Sequence, residues 1–256
     1  MKSKLTGKFI RVLIISIVGL YLLIPILAMA DFSTKPYGGG NQGRSLRAWR
    51  VIPSTRNLVD SITLSISLAA IVILLIFTII VPTIVWVQLR LPKLRKPLEL
   101  ICLIPLAIPA IVIVVGIAPL YRWISIHITE SPISLSLVYA MLILPYTYRS
   151  LSAALDAADI HTLAEAARTL GSSTTRMMAG VIMPTLRTGI LNGSFIAIAL
   201  VLGEYTISNL LNYKTFQVVI AQIGRTSGNV AVSVSLASIL LVLALLLLIP
   251  QKKMAK

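Results

Sequence analysis

Long, uninterrupted apolar runs restrict the fold of this sequence more than any other feature. The run from Leu58 to Gln88 contains a single charged residue, Asp60. A helix needs about 20 mostly apolar residues to cross roughly 30 Å of hydrocarbon. Apolar residues make up 57% of the chain and charged residues 12%, against about 45–50% and about 25% in soluble domains. The sequence therefore predicts an all-α membrane protein.

Six runs are long enough to predict membrane-spanning helices, and they are continuous, unlike the short alternating segments of a β-barrel. The third and fourth contain prolines, which membrane helices tolerate when neighbouring helices satisfy the freed carbonyl groups. The six predicted spans are Ile10–Ala30, Leu58–Gln88, Glu99–Tyr121, Pro132–Tyr148, Thr188–Leu211 and Asn229–Pro250.

The basic residues predict the orientation of these spans. With both termini in the cytoplasm, 15 of the 23 lysines and arginines lie on the cytoplasmic side, as the positive-inside rule requires. The net charge of +15 would suggest nucleic acid in a soluble protein. Here the basic residues lie mostly at the ends of apolar runs, so membrane lipid is the predicted contact and no nucleic-acid partner is expected.

The order of spans divides the chain into predicted regions. Residues 1–30 form the first helix, and 31–57 form an extracytoplasmic loop that either docks a partner or is a flexible linker. A five-helix core follows over 58–250, including a cytoplasmic loop over 151–187, and 251–256 form a cytoplasmic tail. Ala28-Met29-Ala30 resembles a signal-peptide cleavage site, but the apolar run before it is longer than a signal core. A retained helix is predicted, with cleavage as the alternative.

The cytoplasmic loop contains its own helix signals. Thr162 and Glu165 match a capping box, and Leu163, Ala167 and Leu170 recur on one helical face. Gly171 then suits a left-handed C-cap. We therefore predict a short helix from Leu163 to Leu170.

A second helix is predicted directly after this one. Ser172, Ser173 and Thr174 each offer an N-cap oxygen. The helix should run to about Met183, with Pro184 at the entry to the fifth span. From the residues alone, two functions remain open for the loop: contact with lipid phosphate through arginines such as Arg176, or docking of a protein partner.

The spacing within this loop resembles a known motif. Glu165-Ala166-Ala167, Gly171, Val181 and Met183-Pro184 are similar to the EAA motif of permease subunits of type I binding-protein-dependent ABC importers, with valine for isoleucine and methionine for leucine. Both replacements keep the volume and polarity of the side chain. The resemblance covers roughly Leu58 to Pro250.

The resemblance implies a fold, partners and roles. The implied fold is a type I ABC importer permease in a bacterial inner membrane, whose cytoplasmic coupling helices insert into ATP-hydrolysing subunits. The implied partners are two ATP-binding subunits, a second permease (a heterodimer is favoured) and an extracytoplasmic solute-binding protein. Glu165 is either the cap of its own helix or an ion-pair partner for the ATPase. The residues implied to couple to the ATPase are Glu165, Ala166, Ala167, Arg168 and Gly171.

Enzyme motifs are missing from the sequence. The sequence contains no G-x-x-x-x-G-K-[ST] loop, so we expect ATP and Mg²⁺ to bind the partner ATPase and no cofactor to bind this chain. It also contains no H-E-x-x-H, no G-x-S-x-G and no Cys/His cluster, so we expect no metal site and no catalytic residue. His127 and His161 are interpreted as solvated histidines.

A polar band lies near the end of the fifth predicted span. Glu204 is the only acidic residue well inside a span, and such a charge is costly unless it is functional or paired. Glu204, Tyr205 and Asn209 are predicted to face the translocation pathway or gate. The alternative is a buried glutamate that hydrogen-bonds a neighbouring helix and fixes structure only. Gly189 and Gly193, at the start of the same span, predict close helix packing.

The substrate is the least determined prediction. The stretch Leu202–Leu211 resembles the corresponding helix in permeases of polyamine, thiamine and ferric-iron importers. Spermidine or putrescine is the first expectation, and thiamine, ferric iron or phosphonate the alternative. A stand-alone secondary transporter would be expected to carry more intramembrane ionisable groups, and a structural membrane subunit would not need a polar band.

Overall fold

The computed structural model describes residues 2–36 and 43–248, and every regular element within them is helical. The all-α prediction is therefore confirmed for this part of the chain. The glycines at 38–40, the last two residues of the sixth predicted span and the predicted tail 251–256 lie outside the described residues.

The helices follow one another with short connections. Single turns of 3-10 helix occur at Ile52–Ser54, Pro92–Leu94 and Pro132–Ser134, and π turns interrupt the regular helix at Ile76–Ile80 and Met178–Ile182. The α-helices are α1 (Lys2–Ser33), α2 (Arg47–Val51), α3 (Leu58–Arg90, which includes the first π turn), α4 (Arg95–Ala107), α5 (Ala110–His127), α6 (Leu135–Ala157), α7 (Ile160–Thr169), α8 (Thr174–Met177), α9 (Met183–Thr185), α10 (Arg187–Gly203), α11 (Thr206–Leu210), α12 (Phe216–Thr226) and α13 (Gly228–Leu248).

Four stretches of the described chain are long and apolar enough to cross a membrane: Ile10–Ser33, Leu58–Arg90, Ala110–His127 and Arg187–Leu210. A shorter apolar helix covers Gly228–Ala244. The first, second and fifth predicted spans coincide with three of the four long stretches. The count of six spans stays a prediction.

The third predicted span is wrong as a single helix. Helix α4 ends at Ala107, Ile108 is extended (φ −102°, ψ 121°), and Pro109 is the N-cap of α5. A proline disfavours helical geometry in the residue before it, which accounts for the break at Ile108. Pro105 and Pro119 lie inside helices, so only one of the three prolines in this stretch ends a helix.

Contacts group the chain into two compact units, one formed by the described parts of Met1–Val59 and Val219–Lys256, the other by Asp60–Val218. In the first unit, α1 and α2 both pack against α13. The Trp49 indole N–H donates to Ser33 Oγ (3.2 Å), and the Asn229 amide donates to the Lys35 carbonyl (2.7 Å). Part of the predicted loop 31–57 is thus helical and held to its neighbours within this unit.

In the second unit, α6 is the central helix and packs against α4, α10 and the later part of α3. Leu135, Tyr139 and Leu151 of α6 are almost completely buried. The Ser150 hydroxyl donates to the Gly189 carbonyl (2.9 Å), and a Cβ at Gly189 would lie 2.6 Å from the Ala154 Cβ. Any side chain there would overlap α6, so the predicted close packing at this glycine is confirmed.

The fifth predicted span is also interrupted. Helix α10 ends at Gly203, Glu204 is extended (φ −75°, ψ 121°), and α11 begins at Thr206. The amphipathic helix α12, which buries Val218, Val219 and Ile223, follows this span and was not predicted. It is too short to cross a bilayer, so the criterion of long apolar runs missed it.

Candidate functional site

The first helix of the predicted cytoplasmic loop, α7, begins earlier than the sequence predicts. It starts at Ile160, which is 2% exposed, after Asp159 in the left-handed region (φ 44°). The Thr162 hydroxyl donates to Asp159 Oδ2 (2.7 Å) and does not cap the helix. The predicted capping box is therefore wrong, because burial of Ile160 draws the helix start to it. Glu165 lies in the middle of α7, so its role as a cap is wrong as well.

The end of α7 agrees with the prediction. Gly171 adopts a left-handed conformation (φ 73°). Its N–H donates to the Arg168 carbonyl (2.9 Å), and the Ser172 N–H donates to the Ala167 carbonyl (3.0 Å). These two bonds form a Schellman motif. They close the helix with backbone groups alone and fix the direction of the chain that leaves it.

Of the three residues predicted to offer an N-cap for the second helix of the loop, Ser173 is the one that caps it. Ser173 Oγ accepts from the Arg176 N–H (3.3 Å) at the start of α8. The helical path then continues through the π turn and α9 to Leu186, where the chain bends into α10. The predicted second helix up to Met183 is present, although it is not a uniform α-helix.

The five residues implied to couple to an ATPase do not all face outward. Glu165, Ala166, Arg168 and Gly171 are exposed, whereas Ala167 is 7% exposed and belongs to the buried core. The buried face of α7 consists of Ile160, Ala164 and Ala167. The predicted apolar face was wrong in one member, since Leu170 is 86% exposed.

Polar side chains connect this region to the neighbouring helices. Arg95 Nη2 lies 2.9 Å from both carboxylate oxygens of Asp156, near the end of α6. The Gln88 amide of α3 is 4% exposed and donates to Ser152 Oγ (2.9 Å). The bend between α3 and α4 is therefore bonded to the end of α6 that leads into the loop.

The polar band is organised around the Glu204 carboxylate. Oε1 accepts from the Ile207 N–H (2.7 Å), and Oε2 accepts from the Ser208 N–H (3.2 Å) and hydroxyl (3.1 Å). Oε2 also accepts from the Tyr139 hydroxyl of α6 (2.9 Å). The side chain therefore caps the first turn of α11 and joins it to the central helix.

The partners of Glu204 are more deeply buried than the glutamate itself. Tyr139 is 1% exposed and Ser208 is fully buried, and their hydroxyl oxygens lie within hydrogen-bond distance of each other as well as of Oε2. Each hydroxyl has one proton, so the two groups make two of these three hydrogen bonds at a time. Glu204 is half-buried and lines an open cavity of about 210 Å³ together with Tyr139 and Tyr146. A carboxylate and two tyrosine side chains thus border one cavity in an otherwise apolar wall.

Tyr205 and Asn209 lie on the same short segment. Tyr205 is half-buried and is the residue before α11, and its carbonyl accepts from the Asn209 N–H (2.9 Å). The Asn209 side chain is exposed. The sequence did not indicate Tyr139 as a partner of Glu204, because the two are 65 residues apart and no local pattern joins them.

Histidines and acidic residues form no shared site in the described residues. His127 is exposed, stacks on Trp123 with ring centroids 4.9 Å apart, and its Nδ1 lies 2.9 Å from the Trp123 carbonyl oxygen. His161 is exposed on α7. Within residues 2–36 and 43–248, no group of three or more His, Cys, Asp or Glu side chains could hold a metal ion.

The chain matches the model of a known protein family over more than half of its length. A family model described as a binding-protein-dependent transport system inner membrane component matches residues 80–254, more than half of the chain. A search of curated proteins found no match. The matched region contains both the predicted cytoplasmic loop over 151–187 and the polar band around Glu204.

Proposed function

Because the chain belongs to the family of binding-protein-dependent transport system inner membrane components, we propose that it is the permease subunit that couples ATP hydrolysis on a separate subunit to uptake of a polyamine. Membership of the family makes it an integral membrane permease component of an ABC importer. The observation that carries the proposed coupling is the exposed, rigidly closed helix end at Arg168–Ser172 within the EAA-like loop.

The coupling role follows from stiffness and exposure. A helix that is closed by a Schellman motif and packed through Ile160 and Ala164 can transmit a displacement, whereas a flexible loop would absorb it. Glu165, Ala166, Arg168 and Gly171 form the outward contact in this proposal, and Ala167 anchors the helix inward. Because Glu165 does not cap its helix, the ion pair with the ATPase is the role we propose for it.

Movement of the loop would reach the rest of the unit through bonded helices. Nucleotide-driven closure of the ATPase pair would displace α7 and α8, and Arg95–Asp156 and Gln88–Ser152 would carry that displacement to α3, α4 and α6. We propose that this rocks the permease between inward-facing and outward-facing states.

The pathway is proposed to include Glu204, Tyr205 and Asn209. Glu204 lines an open cavity, and Asn209 is exposed on the same segment. The hydrogen bonds of the Glu204 carboxylate also give it a structural role. We propose that these three residues form a gate segment whose position depends on the bond between Glu204 and Tyr139.

Spermidine or putrescine is the proposed solute, on the likeness of Leu202–Leu211 to the same helix in polyamine importers. Thiamine, ferric iron and phosphonate are the alternatives to be tested. Reconstituted importer, supplied with candidate solute-binding proteins and one solute at a time, should show the largest stimulation of ATPase activity with a polyamine. A larger stimulation by one of the other solutes would replace polyamine in the proposal.

The proposed assembly has six spans in a bacterial inner membrane, with both termini in the cytoplasm. It contains two ATP-binding subunits that hold ATP and Mg²⁺, a second and different permease, and an extracytoplasmic solute-binding protein. A labelling reagent that does not cross the membrane should modify a cysteine at position 130 from outside and one at position 165 only from inside. The reverse pattern would overturn the orientation.

The coupling proposal is tested by purification of the tagged chain from native membranes. We expect a phosphate-loop ATPase and a second permease to co-elute, and we expect Glu165→Lys to reduce the amount of ATPase recovered. Glu130→Lys changes another exposed glutamate, on the opposite proposed side, and as the matched control it should leave recovery unchanged. A chain that purifies without an ATPase would contradict the proposed function.

A further inference from the structure

Leu170 is unusual among the apolar side chains of this protein. It is 86% exposed, the largest exposed fraction among the large apolar side chains that the structure describes. Most of the other exposed ones lie on helices that are long and apolar enough to contact lipid. Leu170 lies in the polar loop, directly before the left-handed glycine.

The backbone around Leu170 is fixed. It is the C-cap of α7, and its N–H donates to the Ala166 carbonyl (3.1 Å). The two Schellman bonds close the chain after it, and Ser173 caps the next helix. A Schellman motif often includes a hydrophobic contact from the residue after the glycine. That residue here is Ser172, so the usual apolar cover is absent.

The surroundings of Leu170 leave room for a partner. A Cβ built at Gly171 would meet no atom within 4 Å, and Ala166 on the preceding turn is small and exposed. The exposed leucine is therefore flanked by two positions, Ala166 and Gly171, that carry little or no side chain. Such a shape suits insertion into an apolar pocket, where a rigid anchor loses little conformational entropy on binding.

We infer that Leu170 is the apolar anchor that inserts into a hydrophobic pocket on the ATP-binding subunit, an inference that rests on the proposed coupling function. The family acts with a separate ATPase, so a protein occupant is available on this side. Lipid is the weaker occupant, because a helix that binds in the interface needs a broad apolar face. The apolar face of α7, formed by Ile160, Ala164 and Ala167, is turned into the chain's own core.

Charges beside the anchor complete the surface. Glu165 and Arg168 are exposed on the same helix, and Arg176 is exposed at the start of α8. None of the ion pairs among the described side chains includes any of these three. The pocket is therefore expected to be apolar at its centre, with ionic partners at its rim, as in other protein interfaces.

The first experiment measures affinity. The full chain is reconstituted in nanodiscs, and the Kd is measured for the ATP-binding subunit that co-purifies with it. Leu170→Ser is expected to raise the Kd about tenfold to a hundredfold, which corresponds to loss of one buried leucine. Leu170→Met keeps the volume and should stay within about threefold of the wild type. Leu91→Ser changes another exposed leucine, outside the loop, and should leave the Kd unchanged.

The possible outcomes distinguish failure of the proposed Leu170 anchor from failure of the proposed coupling function. If an ATPase co-purifies with the wild type and the Leu170→Ser variant binds it equally well, Leu170 is not the anchor, and the proposed coupling function is unaffected. If no ATPase binds the wild type, the proposed function itself fails. Thermal unfolding of each variant in detergent checks that a higher Kd does not come from a misfolded chain.

A second experiment does not depend on affinity. Cys102 is the only cysteine in the sequence, so Leu170→Cys in a Cys102→Ala background provides one thiol for maleimide labelling. We expect rapid labelling in nanodiscs without ATPase and at least tenfold slower labelling when the ATPase is bound. Slow labelling in both conditions would show that lipid covers the side chain. Rapid labelling in both conditions would show that the bound ATPase leaves the side chain accessible. Either result overturns the inference.

Discussion

Two interruptions of the helical path, the turn at Leu170–Ser173 and the break at Glu204–Tyr205, are closed in different ways. The turn uses backbone bonds from Gly171 and Ser172 and is exposed. The break uses one side chain: the Glu204 carboxylate accepts from the backbone of α11 and from Tyr139 of another helix.

The difference follows from the surroundings of each site. In a polar loop, backbone N–H and C=O groups without a protein partner can hydrogen-bond to water. A local backbone motif is therefore sufficient to close the helix there. Backbone groups inside an apolar span have no water to bond to and must find partners in the protein. The turn is therefore expected to be stable through its own sequence, whereas the break depends on a contact with a distant part of the chain.

Glu204→Ala should have the largest effect, because it leaves the first turn of α11 and the buried Tyr139 and Ser208 without their common acceptor. We expect a loss in the free energy of unfolding that exceeds the roughly 1.5–3 kcal/mol of a single hydrogen bond to a charged group, because several such bonds are lost together. Thermal unfolding in detergent measures it. Glu165→Ala, on exposed α7, is the control, and a similar loss there would contradict the comparison.

Tyr139→Phe should have the next largest effect. It removes the hydroxyl that bonds to the carboxylate but keeps the ring in the core, and a bond to a charged group contributes about 1.5–3 kcal/mol. Tyr121→Phe is the matched control, since its buried hydroxyl donates to the neutral Ser134 carbonyl (2.7 Å). The same unfolding measurement should give a smaller loss for it, about 1 kcal/mol. Equal losses of unfolding free energy in the two variants would mean that the charge of Glu204 does not strengthen its hydrogen bond with Tyr139.

Gly171→Ala should lower stability by about 1–2 kcal/mol, the cost of a side chain in the left-handed region. Gly180→Ala is a matched control, because a Cβ at either glycine meets nothing within 4 Å and only Gly171 has a positive φ. Hydrogen exchange of residues 165–175 should become faster in the first variant and stay unchanged in the second. Faster exchange in both would show that the conformation of Gly171 is not what holds the turn.

Ser173→Ala should have the smallest effect, about 1 kcal/mol or less, through loss of one N-cap bond on an exposed helix. Hydrogen exchange of the Arg176 backbone amide should become faster, because this amide is the donor in the lost N-cap bond. Ser172→Ala is the comparison, because its hydroxyl makes only a long bond of 3.5 Å to the Ser173 carbonyl. If both serines gave the same exchange rate, the cap would not contribute to the rigidity of the loop.

Features determined by neighbouring residues were predictable from the sequence. The left-handed Gly171, the Ser173 cap and the close packing at Gly189 each follow from one residue type in a local pattern. The start of α7 was not predictable, because burial of Ile160 in the tertiary structure outweighs the local capping signal of Thr162 and Glu165.

The arrangement around Glu204 was only partly predictable from the sequence. A lone glutamate in a span indicated a function or a buried pairing, and the structure gives Glu204 a hydrogen bond from Tyr139 of a neighbouring helix. The break in the helix and the bond to Tyr139 depend on how α6 and α10 pack, which no local pattern contains. The break at Ile108 had a visible signal in Pro109, but Pro105 and Pro119 carry the same signal and do not end their helices.

The π turn at Met178–Ile182 has a mechanical consequence for the loop. A π turn holds about one residue more than an α turn, so this segment accommodates an additional residue while α8 keeps its angle about the helix axis relative to α9. Removal of one of its five residues would restore regular winding with little rotation, whereas removal of one residue from the regular helix α10 would turn the preceding chain by about 100°. The orientation in which Leu170 and Glu165 meet a partner would therefore tolerate a deletion at the π turn but not one in α10.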